Sequence, residues 1–189
     1  MPFLPADYQL PTATSSYMKL QPGSNRFRIM GSFSDKPPSA IMGWLAWSEK
    51  DGKRMPCRFP MADKPPVGSF PEEPKHMWAM TVVNFTNAEE PQFQILELVQ
   101  KSILDELTKL FNDADWGNPC GTAGYDIDIF RIGEGKDTKY TTNPKPRTPL
   151  TGEQLALARP VNLDALYLGE DPFEFELTAE APQPIQPDF

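Results

Sequence analysis

From Tyr17 the chain alternates: Met18 and Leu20 lead into a Pro22-Gly23 turn, and Phe27 and Ile29 then interleave with Arg26 and Arg28. A period of two predicts a strand with one apolar face and one arginine face. Residues 41–47 and 54–59 are apolar runs flanking Glu49-Lys50-Asp51-Gly52-Lys53, and a Lys-Asp-Gly-Lys tip between such runs predicts a hairpin. Residues 60–74 carry five prolines and Gly68, which predicts an exposed loop. Residues 77–85 and 93–98 form a second hairpin pattern across Thr86-Asn87-Ala88-Glu89-Glu90-Pro91. The pattern then changes period. Val99, Ile103, Leu107 and Leu110 recur at spacings of four, four and three, with Phe111 widening the stripe, which predicts one main helix over about 99–112. Asp115-Trp116-Gly117-Asn118-Pro119 stops it. Residues 125–132 alternate Tyr125, Ile127 and Ile129 with Asp126 and Asp128, and Gly133-Glu134-Gly135 turns the chain into residues 138–142, a third hairpin. A short helix over 152–158 follows Asn143-Pro144-Lys145-Pro146-Arg147-Thr148-Pro149.

Strands, two hairpins, one helix and a closing hairpin predict a mainly β fold. The position of the helix in that order favours a small antiparallel Greek-key barrel of the oligonucleotide-binding type with extra strands. The expected organisation is an N-terminal arm (1–16), a barrel domain (17–150), and a short helix with an acidic, Pro-rich, disordered or extended tail (151–189).

Composition adjusts this picture in two ways. The chain has 22 prolines in 189 residues, more than twice the usual ~5%. With one histidine and two cysteines, it has the makings of neither a disulfide scaffold nor a Cys/His zinc site. Cys57 and Cys120 suit a reducing compartment. The first residues lack the basic and long apolar regions of a signal peptide, so export is not expected. The net charge of −8 is unevenly spread. Residues 160–189 hold seven acids and no base, whereas residues 17–61 hold eight bases against three acids and residues 131–147 five against two. A dipolar layout of this kind suits a cationic groove on a nearly neutral body, although chance clustering on a solvated surface explains it too.

Catalytic patterns are weak. A Ser or Cys nucleophile would depend on His76, which lies beside Trp78 in an apolar run and reads as a packed side chain. The carboxylate pairs Asp126/Asp128, Glu89/Glu90 and Asp113/Asp115 read as solvated faces rather than as a metal-dependent nuclease site. Phosphate-binding Gly-rich loops are absent. No enzymatic activity, cofactor or metal is expected. Rings interleaved with cations are the stronger signal, because unstacked bases stack on rings while Lys and Arg follow phosphates. The stacking candidates are Trp44, Trp47, Phe59 and Tyr140. Trp44 and Trp47 are three apart and must face opposite sides of a strand, so only one of them suits a given groove. The phosphate candidates are Lys19, Arg26, Arg28, Lys53, Arg54, Arg58, Lys75, Arg131, Lys139 and Lys145. Phe27 and Trp78 read as core.

Tyr17-Met18-Lys19-Leu20-Gln21-Pro22-Gly23-Ser24-Asn25-Arg26-Phe27-Arg28-Ile29, Gly43-Trp44 through Trp47, Lys75-His76-Met77-Trp78-Ala79, residues 113–119 and Tyr125-Asp126-Ile127 resemble a family of tailed-bacteriophage single-stranded DNA-binding proteins. The resemblance spans about residues 3–150. It implies an oligonucleotide-binding barrel that coats single strands, without sequence specificity, during phage replication, recombination and repair in the cytoplasm of the infected bacterial host. It also implies an acidic tail ending in phenylalanine that contacts phage or host replication proteins and competes with DNA. Asp188 and Phe189 match that ending, without the continuous aspartate run, and the ligands for the zinc that some relatives carry are missing. An RNA-binding barrel using the same rings and cations, and a protein-interaction module, are the alternatives.

Overall fold

The structure, a computed structural model, describes residues 15–174. Most of the expected arm, together with Asp188 and Phe189, lies outside the described residues. Eight strands form one mixed sheet: β1 (Tyr17–Met18), β2 (Gly23–Ile29), β3 (Ala40–Lys50), β4 (Lys53–Pro60), β5 (Lys75–Asn84), β6 (Gln92–Leu98), β7 (Ile127–Ile132) and β8 (Lys139–Pro144). Three helices accompany them: α1 (Lys101–Phe111), α2 (Gly152–Ala156) and α3 (Ala165–Leu168).

The sheet runs β1-β6-β5-β2-β7-β8, and a branch adds β3 to β5 and β4 to β3. Only the short β1–β6 ladder is parallel. The ends of the path do not meet, so the fold is mainly β as expected, but an open mixed sheet in place of an antiparallel barrel. The outer strands are blunted against further pairing. Pro56 and Pro60 lack N–H donors on β4, and the Thr142 N–H of β8 donates to Glu106 of α1 at 2.8 Å.

The predicted hairpins are all present. The first is a two-residue turn in which Asp51 and Gly52 both have positive φ (53° and 71°), the conformation an Asp-Gly pair accommodates. Beyond Ala46 and Cys57, β3 and β4 pair only with each other, so the hairpin leaves the sheet as a two-stranded ribbon.

Each sheet face has its own core. On one side Phe27, Ile29, Met80, Leu96, Ile127 and Ile129 pack with Ile103, Leu104 and Leu107 of α1. The helix begins at Lys101, later than the apolar period suggested, because Val99 packs against the opposite cluster. On that opposite side Ile41, Leu45, Met77, Ala79 and Ile95 are covered by Val161, Leu163 and Leu166. Residues 161–173, expected to belong to a disordered or extended tail, therefore form a folded strap. Leu163 N–H donates to Pro38 O (2.9 Å), Asn162 N–H to Pro172 O (2.8 Å) and the Tyr167 hydroxyl to Met42 O (3.0 Å). Its acids Asp164, Glu170 and Asp171 face outward, as does Leu168, while Val161, Leu163, Ala165 and Leu166 face in.

Arg28 departs from the expected arginine face. It is 1% exposed, and its guanidinium donates to Asp126 (2.7 Å), Gly121 O (3.1 Å) and Thr148 O (2.8 Å). Asp126 is buried and also accepts from Arg26, at 2.6 Å. Strand β2 is interior and the 145–149 segment lies over its second face, so alternation there distinguishes two buried environments rather than core from solvent. Arg28 is thus removed from the phosphate candidates, and Asp126 and Asp128 from the solvated carboxylates.

Removing one partner of such a buried pair strands the other charge. Asp126→Asn should lower stability by about 3–5 kcal/mol in urea denaturation. Glu72→Gln, at the exposed Arg54–Glu72 pair, should cost under about 1 kcal/mol.

Candidate nucleic-acid interface

Cross-strand register fixes which side chains share a face. Trp44 lies opposite both Phe59 and His76, Met42 opposite Trp78, Ser48 opposite Met55, and Lys50 opposite Lys53. These positions belong to one face, the one that carries α1 nearer the sheet centre. Successive residues on it are about 6.6–6.8 Å apart along a strand.

The centre of this face is a run of half-buried rings. The Trp44 and His76 ring centroids are 5.5 Å apart, and Phe59 meets Phe70 edge-on at 5.7 Å. Trp78 stacks on Phe111 at 6.2 Å and meets Phe33 at 6.3 Å. Hydrogen bonds hold the rings in place. Trp78 Nε1–H donates to His76 Nε2 (3.1 Å), so the other ring nitrogen, Nδ1, carries the proton and donates to Gly43 O (2.9 Å). Trp44 Nε1–H donates to Met61 O (3.2 Å), and Lys64, from the same Pro-rich loop, sits 4.4 Å from the Trp44 ring centroid. Gly43 is required here, because a Cβ would run into the Phe59 carbonyl oxygen.

Trp47 lies on the opposite face, against the strap-covered core, with Arg54 4.8 Å from its ring centroid. Tyr140 is half-buried against the main core. Of the four stacking candidates, the structure brings Trp44 and Phe59 together and separates Trp47 and Tyr140 from them. Sequence reading set His76 and Trp78 aside as packed residues, and passed over Lys64 and Phe70. The period-two register across Met42, Trp44, His76 and Trp78 carried the signal for the first pair. Lys64 and Phe70 reach the face from an irregular loop that has no period.

The cation candidates fall into two groups. Arg26 and Arg28 share Asp126, Arg54 pairs with Glu72, Arg58 with Glu97 (2.6 Å) and Lys145 with Asp128 (3.1 Å), while Arg131 donates to Leu20 O (2.8 Å). Lys19, Lys53, Lys75 and Lys139 are exposed and make no ion pair among the described residues. Only Lys53 of these four shares the aromatic face; Lys75 lies opposite Leu45 on the other side of the sheet. Among the described residues no group of three His, Cys, Asp or Glu side chains is gathered to hold a metal, and no helix is long and apolar enough to cross a membrane.

No family model and no curated protein matches this chain.

Lys145 is held by a carboxyl whose ionisation is itself set by the fold. Burial pushes Asp128 up, but hydrogen bonds from Ser24 (2.7 Å), Lys145 and the Asn25 N–H (3.0 Å), with the charge of Lys145, outweigh it and hold the carboxyl below its ordinary value. A depressed carboxyl pKa means the unfolded chain binds the proton more readily. The stabilisation is therefore complete above the unfolded value of about 3.9 and is lost as pH falls through the folded one. The stability gap between the native chain and Asp128→Asn should be largest at pH 6–7 and shrink below about pH 4, as read by urea melts across that range.

Proposed function

We propose that the protein binds single-stranded DNA, without sequence specificity, on the ring-bearing face of the β3–β4 hairpin. The observation that carries this reading is the placement of Trp44 between His76 and Lys64, beside Phe59, on a hairpin whose tip is a cross-strand pair of lysines. Like charges directly opposite one another weaken a hairpin, so Lys50 and Lys53 have no stabilising role at the tip. A polyanion relieves that repulsion. Lys64 can leave the Trp44 ring for a phosphate when a base takes its place, so one side chain serves both the empty and the occupied face.

The helix argues in the same direction. Lys101 is paired with Asp105, Glu106 faces β8, and Lys109 is the only other base on α1, so this helix offers no basic surface to a duplex major groove. In this reading the chain works like the tailed-phage single-stranded DNA-binding proteins it resembles. It would coat strands during replication, recombination and repair in an infected bacterial cytoplasm, with its sheet an opened relative of the oligonucleotide-binding class. Replication proteins are the expected partners of the chain beyond residue 174.

Tryptophan fluorescence titrations with (dT)20, a 20-base-pair duplex and (rU)20 test this. Single-stranded DNA should bind most tightly, with affinity falling steeply as salt rises. Trp44→Ala should cost about 1–3 kcal/mol of binding. The double change Lys53→Ala with Lys64→Ala should flatten the salt slope by up to ~0.7 per lost phosphate contact. Equal affinity for duplex would refute the proposal, and tighter binding to (rU)20 would transfer it to RNA.

A further inference from the structure

Where β2 and β3 part company along β5, the ring-bearing face sinks into a cleft of about 340 Å³. Trp78 and Phe111, stacked on one another with their planes at 20°, line it together, with Phe33 edge-on to Trp78. Ile29 and Met80 lie at its floor and Cys120 at its side. Phe33 is 48% exposed, an unusual state for a phenylalanine that contacts a tryptophan. No Lys or Arg lines the cleft, and the Asp35 carboxylate, which accepts from the N–H of the lining residue Ser32 (2.8 Å), also accepts from the Ser39 hydroxyl. A phosphate is thereby disfavoured. A neutral planar ring fits the apolar walls, and the Asn118 and Ser32 side chains at the rim supply hydrogen-bonding groups for its polar edge.

The cleft is also continuous with the proposed strand path. Trp78 is both its wall and the hydrogen-bond partner of His76, whose ring meets Trp44. We propose that the cleft is a nucleobase slot, resting on the single-stranded DNA reading: one base of the bound strand leaves the stack and inserts beside Trp78, Phe111 and Phe33. The flat part of the face then supplies sequence-tolerant stacking and phosphate contact, and the slot supplies a single deep anchor.

The test uses the full chain with (dT)20 and with an abasic deoxyribose-phosphate 20-mer, which keeps the charge and removes every base. Phe33→Ala should weaken binding to (dT)20 about fivefold or more, the lower end of one lost stacking contact, and leave binding to the abasic oligomer unchanged. Phe111→Leu, which keeps an apolar side chain at the helix end, should do the same. Photocrosslinking of a (dT)20 carrying 5-iododeoxyuridine should mark peptides containing Phe33, Trp78 or Phe111 in addition to that containing Trp44. Native (dT)20 affinity in both variants, with crosslinks only at Trp44, would overturn the slot and leave the strand-binding proposal standing. Equal weakening on both oligomers would assign the residues to the fold and also overturn it. Failure of the unmodified protein to bind (dT)20 would remove both proposals together.

Discussion

The shared edge of β5 is the constraint on which the rest of the molecule depends. One edge of this strand pairs continuously with β6, but the other serves two partners in succession: β2 at residues 82–84 and β3 at residues 75–80. Thr81 stands at the changeover and is 1% exposed. Its carbonyl accepts from Met30 N–H (2.9 Å), while its N–H (3.0 Å) and hydroxyl (3.2 Å) both donate to Ser39 O. Every polar group at the fork thus has a partner inside the protein, as burial requires. Gly31 completes the join, because a Cβ there would collide with the Ser39 carbonyl and the Thr81 hydroxyl. With the fork stitched in this way, β3 continues past the end of β5's ladder and carries β4 out with it as a ribbon.

The charges divide by side-chain type. The seven arginines are all engaged: three pair with Asp126, Glu72 or Glu97 at the surface or its margin, Arg28 is buried on Asp126, Arg131 and Arg147 donate to backbone carbonyls, and Arg159 lies over Phe173. Among the described residues, Lys101 and Lys145 are the only lysines in ion pairs. The planar guanidinium suits fixed, multiply bonded positions, and the ammonium on its flexible stem suits contacts that form and break. Arginine here therefore contributes chiefly to the fold. The cations available to a polyanion are lysines, a division that counting bases along the chain conceals.

What the sequence reveals follows the reach of its periodicities. The Asp51-Gly52 turn, the stripe from Ile103 through Leu107 and the opposite facing of Trp44 and Trp47 are all local, and local patterns predict them. Arg28 and Asp126 are 98 positions apart, and nothing near either residue distinguishes an ion pair in an interior strand from two solvated side chains. The strap misleads for a different reason. Asp164, Glu170 and Asp171 dominate its composition, yet Val161, Leu163, Ala165 and Leu166 suffice to cover the second face of the sheet, and acids on the outside of a strap cost little. The β content is legible, but whether a sheet closes depends on which edges meet, which no local pattern records. Pro56, Pro60 and the Glu106 contact to Thr142 keep the outer edges apart, and only the first two are visible as residue types.

The cleft, the rings and the ribbon are consequences of the same fork. Had β3 followed β2 along a single edge without the 30–39 excursion, Phe33 would not reach Trp78, and Ile29 and Ala40 would be neighbours in one strand rather than separate residues lining a gap. The bond from Trp78 to His76 and onward to the Gly43 carbonyl then ties the cleft wall to the backbone of the ribbon. Gly43 also lies against the strap, where Tyr167 donates to the adjacent Met42 carbonyl. Strap and cleft are therefore bonded to consecutive residues of β3, at the root of the hairpin. The ring-bearing face is backed at its root by the second core, while at its tip the Lys50–Lys53 pair has only its own hairpin for support. That distribution suits a surface that must hold rings in register at one end and meet a flexible polyanion at the other.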